Sequence, residues 1–297
     1  MSAQLASATL TTEVLAHRSR PSLSYWRDLA KRTRTRKSIT TDSDEKNRLW
    51  FIEAFTDGTK LYLEAYRQIR RGVYFKGWCT LEQAELAFAR LEDNPIIPEL
   101  IPLVERRADL IALWQSTFPY RYFASPGMVL KRWACSICGK HSTPVDPCGH
   151  IPNRVYAGEL CYRRILDYEP REVSIVTDPV QKYSVLQLDY DYSVVKYVQD
   201  HLTGPFHEWS GEWTHKRHPH KHFTDRPLDG LCPCNSKLRY SECCLPTDGV
   251  RLPHFQMVVA GEARRSQFED QLVLRSMKDG PSGEDHRTFR TMLLRGG

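Results

Sequence analysis

At 297 residues the chain can bury one large core or two to three modest ones, and its 41% hydrophobic content suffices for either. No apolar run approaches the roughly 18 residues of a membrane span, and the N-terminus has no basic segment leading into an apolar stretch, so neither a membrane helix nor a secretory signal is expected. The net charge of +6 is concentrated in the first 40 residues, which carry eight Lys/Arg side chains against Glu13 and Asp28. The body of the chain is therefore close to neutral, which argues against a nucleic-acid footprint spread over the whole surface.

Residues 1–42 read as a basic, flexible arm with a short helix around Trp26 to Arg32, and the run KRTRTRK at 31–37 is its candidate phosphate contact. Residues 43–125 read as a helical domain. Asp57-Gly58 could turn a hairpin or break two helices, and helices are the preferred reading. Thr80-Leu-Glu-Gln83 has the form of a capping box opening a helix through Glu92, and a further helix runs from Leu100 to Trp114 after Pro98. Residues 126–200 form a CxxC/CxH module followed by EVSIVTD and YSVLQLDYDYSVV, whose alternation and β-branched content predict strands. Residues 201–250 contain a connector rich in His and aromatic residues and a second cysteine cluster. Residues 251–297 are expected to hold a helix from Glu262 to Lys278 and a Gly/Arg-rich tail. The predicted class is α+β, with a helical N-terminal half and a small β-containing C-terminal half stapled by two zinc knuckles.

The strongest chemical signal is CPCNSKLRYSECC at 232–244, which sets Cys232 and Cys234 eight residues before Cys243 and Cys244. Zinc takes a tetrahedron of thiolates about 2.3 Å away, so its ligands tend to arrive as two close pairs joined by a short loop. Upstream, Cys135 and Cys138 form a C-x-x-C turn followed by Gly139, and ten residues later come Cys148 and His150. These four are the preferred ligands of a second zinc ion. Cys161, on a segment that reads as a helix beginning after Gly158, is a substitute for Cys148 or His150. Eight of the nine cysteines fall in these clusters, a usage that suits a reducing cytoplasm.

The 232–244 segment resembles the SEC-C motif, C-P-C-G-S-G-K-K-Y-K-K-C-C or -C-H. It matches at Cys232, Pro233, Cys234, Ser236, Tyr240, Cys243 and Cys244, and it carries Asn235 and Lys237 where the pattern has glycine and Leu238 where it has lysine. The resemblance implies a small zinc module of the kind appended to other domains. CGHIP at 148–152, with the preceding CSICG, also resembles part of the zinc-supported fold of HNH endonucleases. On that reading His150 is a general base, although Gly149 stands where an acidic residue is expected. In a strand, His218, His220 and His222 would share one side, but the interleaved Lys216, Arg217 and Lys221 read more simply as an exposed basic loop. Asp189 and Asp191 read as the wet face of a half-buried strand.

With four protein ligands at each cluster, neither metal keeps an open position, so the expected role is structural. The sequence thus predicts a cytoplasmic zinc-binding adaptor that docks a protein partner. The alternative is a nucleic-acid-binding or processing protein that uses the basic arm and His150.

Overall fold

In a computed structural model, residues 2–186 and 190–259 are described, and the expected helix at 262–278 lies outside them. The fold is α+β, with helices in the N-terminal half and sheets in the C-terminal half. The chain divides into two compact units between Tyr190 and Asp191. The expected boundaries at 125, 200 and 250 fall inside or at the edge of regular elements, whereas that at 42 falls between two helices.

Among the described residues, five α-helices build the first unit: α1 (Ser2–Ala16), α2 (Leu23–Ile39), α3 (Ser43–Arg70), α4 (Tyr74–Glu92) and α5 (Ile101–Ser116). Residues 1–42, expected as a flexible arm, are instead two helices packed into the core. The cause is an apolar stripe at helical spacing among the basic residues: Leu23, Trp26, Leu29 and Ala30 are all buried. Ser22 caps α2 by accepting from the Tyr25 N–H, and Asp42 caps α3 by accepting from the Glu45 N–H. Glu45 is itself fully buried, yet its carboxylate accepts hydrogen bonds from the Ser7 amide (2.9 Å) and hydroxyl (2.7 Å) and from Arg48 (3.2 Å). A buried carboxylate needs such donors, so Glu45 fixes α1 to α3 at one place.

The basic run is largely engaged within the fold. Arg32 pairs with Glu13 and Asp28, Arg34 with Glu53 and Asp57, and Lys37 with Glu53. Asp57-Gly58 breaks nothing, because α3 runs through it as one 28-residue helix. Glycine serves a different purpose there. A Cβ on Gly58 would lie 3.0 Å from the Phe88 ring, so the glycine permits close approach of α3 and α4. The capping box at Thr80 is likewise displaced. α4 starts at Tyr74, and the Thr80 hydroxyl bonds within and across helices, to Lys76 O and to Gln68.

From the bundle the chain enters a ribbon of β1 (Phe123–Cys135) and β5 (Arg163–Val176), antiparallel, with the short β2 (His141–Ser142) on the other edge of β1. Between the two long strands lie the first cysteine cluster and a tight hairpin of β3 (Val155–Tyr156) and β4 (Glu159–Leu160). The two-residue loop, Ala157-Gly158, has positive φ at both positions, as such a turn requires. Cys161 therefore follows a strand, not the helix start that Gly158 suggested.

The hairpin is docked on the helices by directional bonds. The Gly158 N–H donates to Asn47 (2.7 Å), Lys37 donates to Gly158 O (3.1 Å), and Asn94 donates to Asn153 O (2.8 Å) while accepting from the Val155 N–H (3.3 Å). A Cβ on Gly158 would stand 2.9 Å from that of Lys46, so no larger residue fits against α3.

The second unit contains α6 (Ser193–His201), a two-stranded ribbon of β6 (Trp209–His218) and β7 (Val250–Val259), and the second cluster between those strands. The segment at 183–195, expected as a strand, contributes an isolated bridge at Val185 and the first three residues of α6; Asp189 lies outside the described residues. His218 ends β6, whereas His220 and His222 sit in a 3-10 turn, so the three histidines do not line one side of a strand. Among the described residues, no helix is long and apolar enough to cross a membrane.

Candidate metal centres

The first cluster is assembled by a strand end and a returning loop. Cys135 closes β1, and the chain then turns so tightly that the Gly139 N–H donates to Cys135 O (2.9 Å). Gly139 adopts a left-handed backbone (φ 71°), which suits a residue with no Cβ. The turn aims the Ile137 N–H at the Cys135 sulfur (3.4 Å) and brings Cys138 alongside. The Pro147–Pro152 loop then delivers Cys148 and His150. One ligand atom from each of Cys135, Cys138, Cys148 and His150 lies within 4.8 Å of the others.

His150 is held in place by Tyr156, whose ring meets the imidazole edge-on at 4.8 Å and whose hydroxyl accepts from the Ile151 N–H (3.0 Å). The imidazole Nδ1 is buried and has no hydrogen-bond partner among the described residues. A bare buried nitrogen costs free energy unless something binds it, and a metal ion is the kind of group this donor set would accept. Cys161 lies against the cluster, its Sγ 3.9 Å from that of Cys135, but outside the mutually close set of four.

The sulfurs are electrostatically unequal. Burial alone would raise the Cys135 thiol, but the Cys138 and Ile137 N–H groups and the neighbouring cysteines bring it down to about 6. Burial, with the Cys135 sulfur beside it, pushes Cys161 up to about 11. Near neutral pH Cys135 is thus the readier thiolate and Cys161 the neutral neighbour.

The second cluster sits in a smaller knuckle. The Cys232 N–H donates to Leu238 O (2.8 Å) and the Tyr240 N–H to Gly230 O (2.8 Å), folding the loop back on itself. Cys232, Cys234, Cys243 and Cys244 again offer ligand atoms within 4.8 Å of one another, with Sγ–Sγ separations of 3.5 Å for Cys234–Cys243 and 3.9 Å for Cys243–Cys244. Asn235 and Lys237 both take left-handed backbones, at φ 62° and 64°. The Ser236 hydroxyl lies 3.1 Å from the Cys243 sulfur. Burial raises Cys234, but hydrogen bonds from Ser236 and Cys232 outweigh it and bring that thiol down to about 7. Burial holds Cys232 and Cys244 above the ordinary thiol range.

Around these sulfurs lies a core of Phe223, Tyr240, Val250 and Leu252. His220 completes it: its Nδ1 hydrogen-bonds with the Tyr240 hydroxyl (2.6 Å) and its Nε2 with Thr247 O (2.7 Å). These two contacts pin the tyrosine against the knuckle. Only the alternation of histidines in the sequence hinted at His220, and that pattern suggested an exposed loop.

All eight expected ligands are thus brought together in two groups of four, and each group could hold one metal ion. A divalent ion bound there would take the place of thiol protons and supply positive charge that the sulfurs share, making each pocket a fixed cross-link. Comparison with known protein families, curated proteins and solved structures returned no match.

Proposed function

We propose that this chain is a zinc-binding adaptor in which two structural zinc ions fix recognition surfaces for a macromolecular partner. The observation that carries the reading is the convergence of four protein ligands at each centre, with His150 Nδ1 buried and unpartnered beside three sulfurs. Zinc fits this donor set best among common cations, because thiolate and imidazole select it over the oxygen-preferring ions. A full protein shell is the mark of structural zinc, so His150 is a ligand on this reading and not a base.

The left-handed backbones at Asn235 and Lys237 support the SEC-C reading of the second knuckle, since these are the positions where that pattern carries glycine. Nine free cysteines suit a reducing, cytoplasmic setting. A protein partner is favoured over nucleic acid because much of the basic N-terminal run is spent on intramolecular ion pairs. Apolar side chains flank both centres at the surface, with Ile151 and Tyr162 near the first, and Leu231 and Leu238 near the second.

Elemental analysis of freshly purified, reduced protein tests the metal assignment. Two zinc ions per chain are expected, one of them lost in His150→Ala and the other in Cys243→Ser; protein without zinc would overturn it. A salt series tests the partner class. Capture that survives from about 50 to about 200 mM salt supports the adaptor, whereas a steep loss of nucleic-acid binding over that range supports the alternative.

A further inference from the structure

The first centre brings five metal-type donors to an ion that takes four. Cys161 stands outside the mutually close set of Cys135, Cys138, Cys148 and His150, yet its Sγ lies 3.9 Å from that of Cys135, and both side chains are buried. The second centre has no such neighbour, because the remaining cysteine, Cys79, lies in α4 of the other unit. Cys161 is therefore a thiol held against a metal ligand without being one.

The backbone builds that proximity. Cys135 lies opposite Arg163 in the β1–β5 ladder, so Cys161, two residues earlier, falls on the same face. The Ser136 N–H donates to Tyr162 O (3.1 Å), the Tyr162 N–H donates to the Ser136 hydroxyl (2.9 Å), and that hydroxyl donates to Leu160 O (3.3 Å). Cys161 is pinned from its other side, donating its N–H to Arg154 O (2.8 Å) and accepting from the Asn153 N–H (2.7 Å). The two sulfurs need to close by about 2 Å to reach bonding distance, a small movement for a strand end released from a metal. Cys135, Cys148, His150 and Cys161 also border one cavity of about 20 Å³. It has room for about one water-sized molecule, so an oxidant reaching Cys135 there must be small. Hydrogen peroxide meets that limit and a bulky disulfide such as oxidised glutathione does not.

We propose that Cys135 and Cys161 are a peroxide-responsive pair that opens the first metal centre, an inference that rests on the zinc reading of that centre. The Cys135 thiolate attacks one peroxide oxygen, giving a sulfenic acid and hydroxide. The Cys161 thiol then attacks the oxidised sulfur, forming the Cys135–Cys161 disulfide and releasing water. The two sulfurs give one electron each to the peroxide. Cys138 and Cys148 are engaged as ligands on this reading, which leaves Cys161 as the thiol placed to resolve the sulfenic acid. With Cys135 in a disulfide, the three remaining donors no longer enclose the ion, which is released as the dication. Reduction by a dithiol restores both thiols and the full ligand set.

Treatment of the reduced, zinc-loaded full chain with hydrogen peroxide tests it, with zinc release followed by a chromogenic chelator and disulfides mapped by mass spectrometry after free thiols are blocked. The expected result is loss of the zinc that His150→Ala also removes, a Cys135–Cys161 disulfide distinguished from Cys138 by fragmentation, and rebinding of zinc after dithiol reduction. In Cys161→Ala, zinc content before oxidation should be unchanged. Cys135 should then pass on to the sulfinic acid, so that zinc recovered on reduction falls at least about fivefold. Cys161→Ser serves as the second variant should the alanine one misfold. Zinc missing from both untreated variants would make Cys161 a ligand and overturn the proposal. So would a disulfide confined to Cys138 and Cys148, no disulfide at all, or full zinc recovery in both variants. Untreated protein that carries no zinc would sink the zinc reading instead, and the mapped disulfide would still decide the pairing.

Discussion

The two metal centres use similar chemistry with unequal support. The first is set in a module bonded to a helical core that contains Trp26, Phe55, Phe88 and Trp114, all fully buried. Among the described residues, the second packs directly against a smaller cluster of Phe223, Tyr240, Val250, Leu252 and the buried ligands themselves. Apolar burial stabilises by roughly 25 cal/mol per Å², so the smaller cluster gains proportionately more from any cross-link that a bound metal would add. On the proposed zinc reading, the same kind of ion would be a local staple in the first unit and would carry a larger share of the stability in the second.

The largest effect that would break this contrast is loss of the second metal. Cys244→Ser should remove apparent binding free energy on the order of 10 kcal/mol and abolish hydrogen-exchange protection across the 231–252 region, leaving α3 and α4 protected. Simultaneous loss in both units would show that the first unit leans on the second metal as well. The converse comes next: Phe55→Ala should cost about 3–5 kcal/mol in the helical unfolding transition while leaving cobalt-substituted absorption of the second centre unchanged.

The docking of the first module is tested by Asn94→Ala. It removes a donor to Asn153 O and an acceptor for the Val155 N–H, so a cost of about 1–3 kcal/mol is expected, read as faster exchange at 153–160 with zinc retained. The smallest effect is a gain. Lys237→Gly relieves a left-handed backbone at a non-glycine residue and should raise stability of the second unit by about 1 kcal/mol in a metal-loaded melt. A loss there would mean that chain entropy outweighs the relief.

The ligand sets were legible because metal chemistry fixes residue type and spacing within short segments. Cys232 to Cys244 span one loop, and four of the same sulfurs would be recognisable in many surroundings. The helices of 43–118 were legible for a related reason, since their apolar spacing and Pro98 act locally. The basic arm misled because the charges of 31–37 stand out more than the buried stripe Leu23–Trp26–Leu29–Ala30 just before them, and their partners Glu53 and Asp57 lie some twenty residues away. Gly58 misled because glycine reads as a breaker until the Phe88 ring is known to press on it.

By itself, the sequence determined which atoms can bind metal, since thiols at fixed short intervals carry that chemistry wherever they fold. Tertiary structure alone decided that Cys161 stands beside the first set of four without joining it, that His220 locks Tyr240, and that Gly158 must be bare against Lys46. Those outcomes depend on distances between segments far apart in the chain, and such distances are set by packing rather than by the residues on either side.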